Sequence, residues 1–258
     1  WAVNNASELV AAAQGRATLK GPLKVAEGVY QLQALGARVT VIESEDGLVM
    51  VDAGFRGSVG RVALGLEAIG RSIRDVRLVA ITHCHPDHAG GLDRIVEASS
   101  ARVAAHSEDA GVIDGTGPMI SPYRNGFLAN VTRPLMTPFY GARVAVDYVL
   151  EDGDMLPTVP EMRVVHVPGH TAGSICVYVP SSKLLIVGNA LQNRFNRLSG
   201  PAAAVTKDIA QAMASLNKLL SLDFDTICFG HHSPISGDAR TALRRVVDRH
   251  ASSSKSSA

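Results

Sequence analysis

A chain of 258 residues, 46% hydrophobic and 19% charged, has the length and composition of one well-cored globular domain or at most two small ones. A net charge of +1 creates no field to draw in nucleic acid or anionic lipid, and no basic stripe interleaved with aromatics is present. The longest apolar runs, 184–187 and 164–167, are strand-sized and far short of a membrane span.

Cys84, Cys176 and Cys228 are odd in number and far apart, so no disulfide framework is expected. That usage suits a reducing, cytoplasmic setting. The chain starts at Trp1 rather than Met, which reads as a processed terminus, with a removed secretion signal left open.

In chain order, residues 1–24 hold an Ala-rich stretch (6–13) read as a peripheral helix, then a Gly21-Pro22 break. Strand-like runs follow at 29–35, 38–43 and 48–51, the last two separated by Asp46-Gly47, a hairpin signal. Residues 59–69 carry Val62, Leu66 and Ile69 at helical spacing. A buried-looking strand at 76–82 delivers a histidine cluster, a helix is expected over 91–98, and 102–106 returns to strand. The stretch 111–141 is rich in Gly, Pro and aromatics without a clean period. It reads equally as a lid-like insertion or as a packed connection between two halves. Strands are then expected at 144–150, 163–167, 175–179 and 184–187, a helix at 207–220, a strand at 226–229 and a last helix at 238–249. The Ser-rich residues 251–258 read as a frayed tail. Strands then helix, twice over, predict one α/β domain built as a four-layer αββα sandwich.

Chemistry concentrates in His83-Cys84-His85-Pro86-Asp87-His88. Three imidazoles and a carboxylate within six residues at a strand exit suit a divalent metal: Zn first, with Fe or Mn as alternatives. A loop there can aim His83 and His85 at one ion while Asp87 and His88 turn toward a second, about 3.5–4 Å away.

This string resembles the HxHxDH signature of the metallo-β-lactamase superfamily. Asp52-Ala53-Gly54 resembles the family's early Asp-x-Gly turn, Pro168-Gly169-His170-Thr171 its second histidine motif, and Gly230-His231 its last. The resemblance covers most of the chain. It implies that His83, His85 and His170 hold one metal and that Asp87, His88 and His231 hold another. Asp87 would also orient the attacking nucleophile and pass its proton to the leaving group.

Gly188-Asn189 falls where the family has a Gly-Asp turn whose aspartate bridges both ions. A neutral amide in place of that anion leaves more of the repulsion between two cations uncompensated. Weaker binding, chiefly at the second site, is the expectation. Natural variation in metal use, a pseudo-enzyme, and an aspartate-to-asparagine change introduced at this position are all compatible with Asn189, with an introduced change or an attenuated site preferred because every other ligand position is intact.

Other groups carry weaker signals. His232 neighbours His231 and is expected to touch substrate or a ligand rather than metal. His106 and His166 read as packing groups and His250 as solvated. Cys84 is expected to point away from the ions, and Ser174 to be a structural hydroxyl. Tyr123, Phe127, Phe139, Tyr140 and Phe195 are candidate pocket-lining aromatics, and Arg194 and Arg197 candidates for its rim. The resemblance implies hydrolysis of a carbonyl ester-type bond in a small, rather apolar substrate, a lactone before a thioester. The competing readings are a non-catalytic binding or sensing protein and a single-iron oxidoreductase. No nucleic-acid or membrane partner is expected, and association with copies of itself is allowed.

Overall fold

The inner strands are buried along nearly their whole length, so their period of two sorts successive residues between two apolar layers rather than between core and solvent. The computed structural model describes residues 21–119, 126–127, 131–132, 140–157 and 159–255. Within them two main sheets form. The first runs in chain order: β1 (Leu23–Ala26), β2 (Val29–Gln33), β3 (Arg38–Ser44), β4 (Gly47–Val51), β5 (Val76–Ile81), β6 (Arg102–His106) and β7 (Tyr148–Leu150). Strands β1 to β4 pair antiparallel, and β4 to β7 pair parallel. The expected hairpin is closed by Ser44 pairing with Gly47.

The second sheet contains β8 (Met155–Leu156), β9 (Val159–His166), β10 (Ile175–Val179), β11 (Leu184–Ile186) and β14 (Thr226–Cys228), in the order β14-β11-β10-β9-β8. A separate hairpin joins β12 (Gln192–Arg194) to β13 (Arg197–Ser199). The helices are α1 (Val59–Glu67), α2 (Pro86–Ala89), α3 (Leu92–Ser99), α4 (Ser107–Asp114), α5 (Ile209–Leu219) and α6 (Ala239–Lys255).

Three apolar layers show how these stack. Val49, Val51, Leu78 and Ala104 of the first sheet meet Val164, Ile175, Val177 and Ile186 of the second. On the opposite face of the first sheet, Met50, Val79, Ile81 and Val103 pack on Val62 and Leu66 of α1 and Leu92 and Ile95 of α3. The far face of the second sheet sends Val165, Cys176, Leu185 and Ile227 against Met213, Leu216 and Leu219 of α5 and Leu243 and Val246 of α6. Neighbouring residues such as Val49 and Met50 thus enter different layers, as strand alternation requires. The result is the expected αββα sandwich.

The sheets also align their strand ends. Strands β4, β5 and β6 are parallel, and β9, β11 and β14 share one direction through the antiparallel β10. Segments leaving the C-terminal ends of these six strands carry Asp52, His83, Asp109, His170, Asn189 and His231.

Some boundaries differ from expectation. Helix α6 continues to Lys255 instead of fraying at 251, and the Ser252 hydroxyl donates back to the Asp248 carbonyl at 2.9 Å. Residues 111–114 complete α4, which ends at Gly115 with φ +78, so irregular chain begins later than the composition suggests. Strand β7 is shorter than 144–150, although Val144 and Val146 still pack on the first-sheet core. The 6–13 helix, and all of the tail beyond Lys255, lie outside the described residues.

Candidate metal centre

Six side chains, four of them buried histidines with half-buried Asp87 and exposed His231, converge as two triads. His83, His85 and His170 bring one ligand atom each within 4.8 Å of one another, and Asp87, His88 and His231 do the same. The pairing is the one implied by the resemblance. His83 Nε2 lies 3.2 Å from His170 Nε2, and His88 Nε2 lies 3.3 Å from His231 Nε2. The Asp87 carboxylate is 3.2 Å from His231 and 3.6 Å from His88.

The tautomers follow from what the other ring nitrogens touch. Thr206 gives its hydroxyl proton to the Ala202 carbonyl at 2.8 Å, so at 3.1 Å it accepts from His170 Nδ1–H. Thr82 donates to the Asp52 carboxylate at 2.9 Å, so at 3.1 Å it accepts from His83 Nδ1–H. His231 Nδ1–H donates to the Gly36 carbonyl at 2.9 Å, and His88 Nδ1–H to Asp52 at 2.7 Å. In the neutral rings, four Nε2 lone pairs therefore point into the same small space. Facing acceptors repel, the Asn189 amide offers a donor only to His170 Nε2, and a cation resolves the conflict. Histidines held through the second nitrogen are also the usual arrangement around a metal. The residues fit divalent metal.

Electrostatics agree. Burial, reinforced by the neighbouring imidazoles, pushes His83 and His170 well below the ordinary histidine range. Burial takes His85 down to about 4. These rings are deprotonated ligands at neutral pH. For Asp87, burial pushes the carboxyl up, but His88, His231 and His85 outweigh it and keep it well below the carboxylate range. His88 is the exception: burial lowers it, yet the charges of Asp52 and Asp87 and hydrogen bonds to Asp52 and Asn189 leave it raised. A proton and a cation therefore compete for His88 Nε2.

Asn189 sits between the triads. Its Nδ2 is 3.3 Å from His170 Nε2 while the side chain also hydrogen-bonds His88. The turn that places it uses Gly188 at φ +48, where a Cβ would meet the Thr82 hydroxyl at 2.5 Å. Asp52, at φ +69, is in a conformation rare for anything but Gly, Asn and Asp. It fixes both His88 and Thr82, a role that its place in an Asp-x-Gly turn did not specify.

A cavity of about 350 Å³ opens over the triads, lined by His85, Asp87, His170, Asn189 and His231, and walled by Gln192, Arg194, Ala202, Val205 and His232. His232 is therefore at the site, as is Arg194. Three of the aromatics expected in the pocket are placed elsewhere. Phe195 is 92% exposed because it and Asn196 both take positive φ, +53 and +57, at the two-residue tip of the β12–β13 hairpin. Phe127 is 79% exposed and does not line this cavity. Tyr140 lines a different one of about 180 Å³ with Cys84, Leu92 and Met119. Arg197, exposed on β13, is also absent from the wall. Tyr123 and Phe139 lie outside the described residues. Gln192, Ala202 and Val205 gave no signal in the sequence.

Cys84 faces away from the triads. Burial and the adjacent Asp109 carboxylate push its thiol well above the usual range, so it is neither thiolate ligand nor nucleophile. All three cysteines are free and buried. The Ser174 hydroxyl accepts from the Thr171 backbone N–H at 2.9 Å, a structural use within the turn.

Fold and site together define a metallo-hydrolase: the chain belongs to the metallo-beta-lactamase superfamily, whose family model matches residues 33–231. Among individual relatives, it is 27% identical over 247 residues to the "Probable metallo-hydrolase YflN" of Bacillus subtilis (strain 168), covering 88% of this chain and 92% of that one. It is 30% identical over 192 residues to a "Hydroxyacylglutathione hydrolase" of Cereibacter sphaeroides (strain ATCC 17029 / ATH 2.4.9). That match covers 73% of this chain and only 60% of the relative's length. The fold is shared with a metallo-beta-lactamase family protein of Thermus thermophilus, at TM-score 0.66 and 21% identity over 89% of this chain and 81% of that one. Among the described residues, no helix is long and apolar enough to cross a membrane.

Proposed function

We propose that this protein hydrolyses a carbonyl ester-type bond in a small substrate, using two divalent metals, zinc first, with the second weakly held. The observation that carries this reading is the convergence of four histidine Nε2 atoms whose Nδ1 positions are committed elsewhere. Metal bound there would acidify a water molecule and polarise the scissile carbonyl. His83, His85 and His170 would hold the first ion; Asp87, His88 and His231 would hold the second. The Asp87 carboxylate, kept anionic and open to the cavity, is positioned to take a proton from attacking water and give it to the leaving group. Asn189 supplies an amide where a bridging anion would best offset two cations, which attenuates the second site.

Relatives named hydroxyacylglutathione hydrolase favour a thioester over the lactone that the sequence put first, and both belong in the test. The cavity wall also qualifies the expectation of an apolar substrate. Among the described residues no carboxylate pairs with Arg194, whose guanidinium lies 5.9 Å from the Phe195 ring, and Gln192 and His232 flank it on the wall. A substrate with an anionic substituent away from the scissile bond suits that side. Arg194→Ala is expected to lower kcat/KM for carboxylate-bearing thioesters by roughly tenfold, the scale of one charge-assisted hydrogen bond, with neutral isosteres nearly unchanged. Equal loss on both would contradict the assignment. A panel of thioesters, lactones and esters, run on the parent and on Asn189→Asp, tests the activity. No hydrolysis by either form would remove the hydrolase reading and favour the non-catalytic binding protein that Asn189 also suits.

A further inference from the structure

Asp109 is a buried carboxylate, 1% exposed, outside both triads and outside every motif that identifies the family. It sits in the first turn of α4, directly after β6. One oxygen accepts from the Cys84 backbone N–H at 2.8 Å and from the Thr171 hydroxyl at 2.7 Å, and the other accepts from the Gly173 N–H at 2.9 Å. Cys84 separates His83 from His85, while Thr171 follows His170. We propose that Asp109 is the positioning residue of the first triad, tying the loop that carries His83 and His85 to the loop that carries His170.

The surroundings are shaped for this. Thr171 uses its hydroxyl proton on Asp109, so the Ser174 hydroxyl donates to Thr171 Oγ1 at 2.8 Å while accepting from the Thr171 N–H at 2.9 Å. That closes a directed chain from turn to carboxylate. A Cβ at residue 173 would lie 2.7 Å from Asp109 Cβ and Cγ, so the glycine is what lets the carboxylate enter the turn. The start of α4 is held in its own right: the His106 ring accepts from the Glu108 N–H at 3.3 Å and stacks on His166 at 3.9 Å, and His166 Nε2–H donates to the Ala172 carbonyl at 2.8 Å. A buried anion accepting three hydrogen bonds from two loops fixes their separation, and with it the distance between the imidazoles they bear. No contact joins Asp109 to Asp87, His88 or His231 among these bonds, so its influence falls on the first triad.

The inference rests on the metal reading of the site, and the test separates the two. The full chain, stripped of metal, is titrated with zinc against a chromophoric chelator and with cobalt followed by its visible absorption. The forms compared are the parent, Asp109→Asn, Thr171→Val and the exposed control Glu108→Gln. Asp109→Asn is expected to weaken the first equivalent of zinc by roughly 10–100-fold and to alter the cobalt spectrum. Thr171→Val, which removes one donor and keeps the anion, shifts both in the same direction by less and covers the case in which Asp109→Asn does not fold. Glu108→Gln leaves both unchanged. Parent-like affinity and spectrum in folded Asp109→Asn or Thr171→Val would overturn the proposal alone. Absence of zinc uptake by the parent would overturn the metal reading, and this proposal with it.

Discussion

Single residues decide the chemistry by what sits behind them. His83, His88, His170 and His231 each spend Nδ1 on Thr82, Asp52, Thr206 or Gly36, which commits Nε2 to the centre. The same burial that prepares these rings for metal makes the metal-free protein sensitive to acid. The folded-state pKa of His85 is about 4 against an ordinary value of 6.5, so protonation favours the unfolded chain. Its contribution is intact above pH 6.5 and disappears as pH falls toward 4. His83 and His170 shift in the same direction. His88 is raised and opposes them, its contribution being present at low pH and lost as pH rises through its folded value. Three rings outweigh one: the Tm of metal-stripped protein should fall steadily between pH 7 and 4.5. A flat Tm over that window, measured by calorimetry, would contradict the assignment of these rings as neutral in the fold.

At the scale of elements, the site is a consequence of direction. Two sets of three strands, each set sharing one direction within its own sheet, bring six short segments to one rim, the place where ligands collect in open α/β sheets. The last of these segments depends on β14, only three residues long and paired parallel to β11. Phe229, 1% exposed and packed in the layer between the second sheet and α5 and α6, anchors the Gly230-His231 turn at its C-terminal side. The Gln31 amide also donates to the Phe229 carbonyl at 3.1 Å. Phe229→Ala should cost about 3–5 kcal/mol in urea unfolding, the usual scale for a large buried aromatic. A loss below about 1 kcal/mol would show that β14 is held by other contacts.

Much of this architecture is legible in the sequence because it lies in local pattern. Hydrophobic runs bounded by Gly and Pro mark most strands, and the histidine motifs name six converging side chains. Other features have no local signature. Asp109 is one acid among 24 acidic residues, and only the fold brings it to Cys84, Thr171 and Gly173. The β12–β13 hairpin is largely polar and lacks an Asn-Gly or Asp-Gly pair, so neither periodicity nor turn chemistry announces it. Its tip turns Phe195 outward while its first strand delivers Gln192 and Arg194 to the cavity. Aromatic residues near a motif suggest a pocket that side-chain direction then denies.

For the molecule as a whole, two sheets, each covered by helices on its outer face, hold two ligand triads at one shared rim, and Asn189 lies between them. The charge balance there is unusual for two divalent ions: Asp87 is the one carboxylate among the converging side chains, with Asp52 behind His88. Replacing the amide by a carboxylate adds the missing anion at the point nearest both ions. The direct measurement is elemental analysis of the purified parent beside Asn189→Asp. The account predicts about two metals per chain in Asn189→Asp and measurably fewer in the parent, with the first triad filled in both. Little or no metal in either form would contradict the two-triad metal site on which the proposed hydrolysis depends.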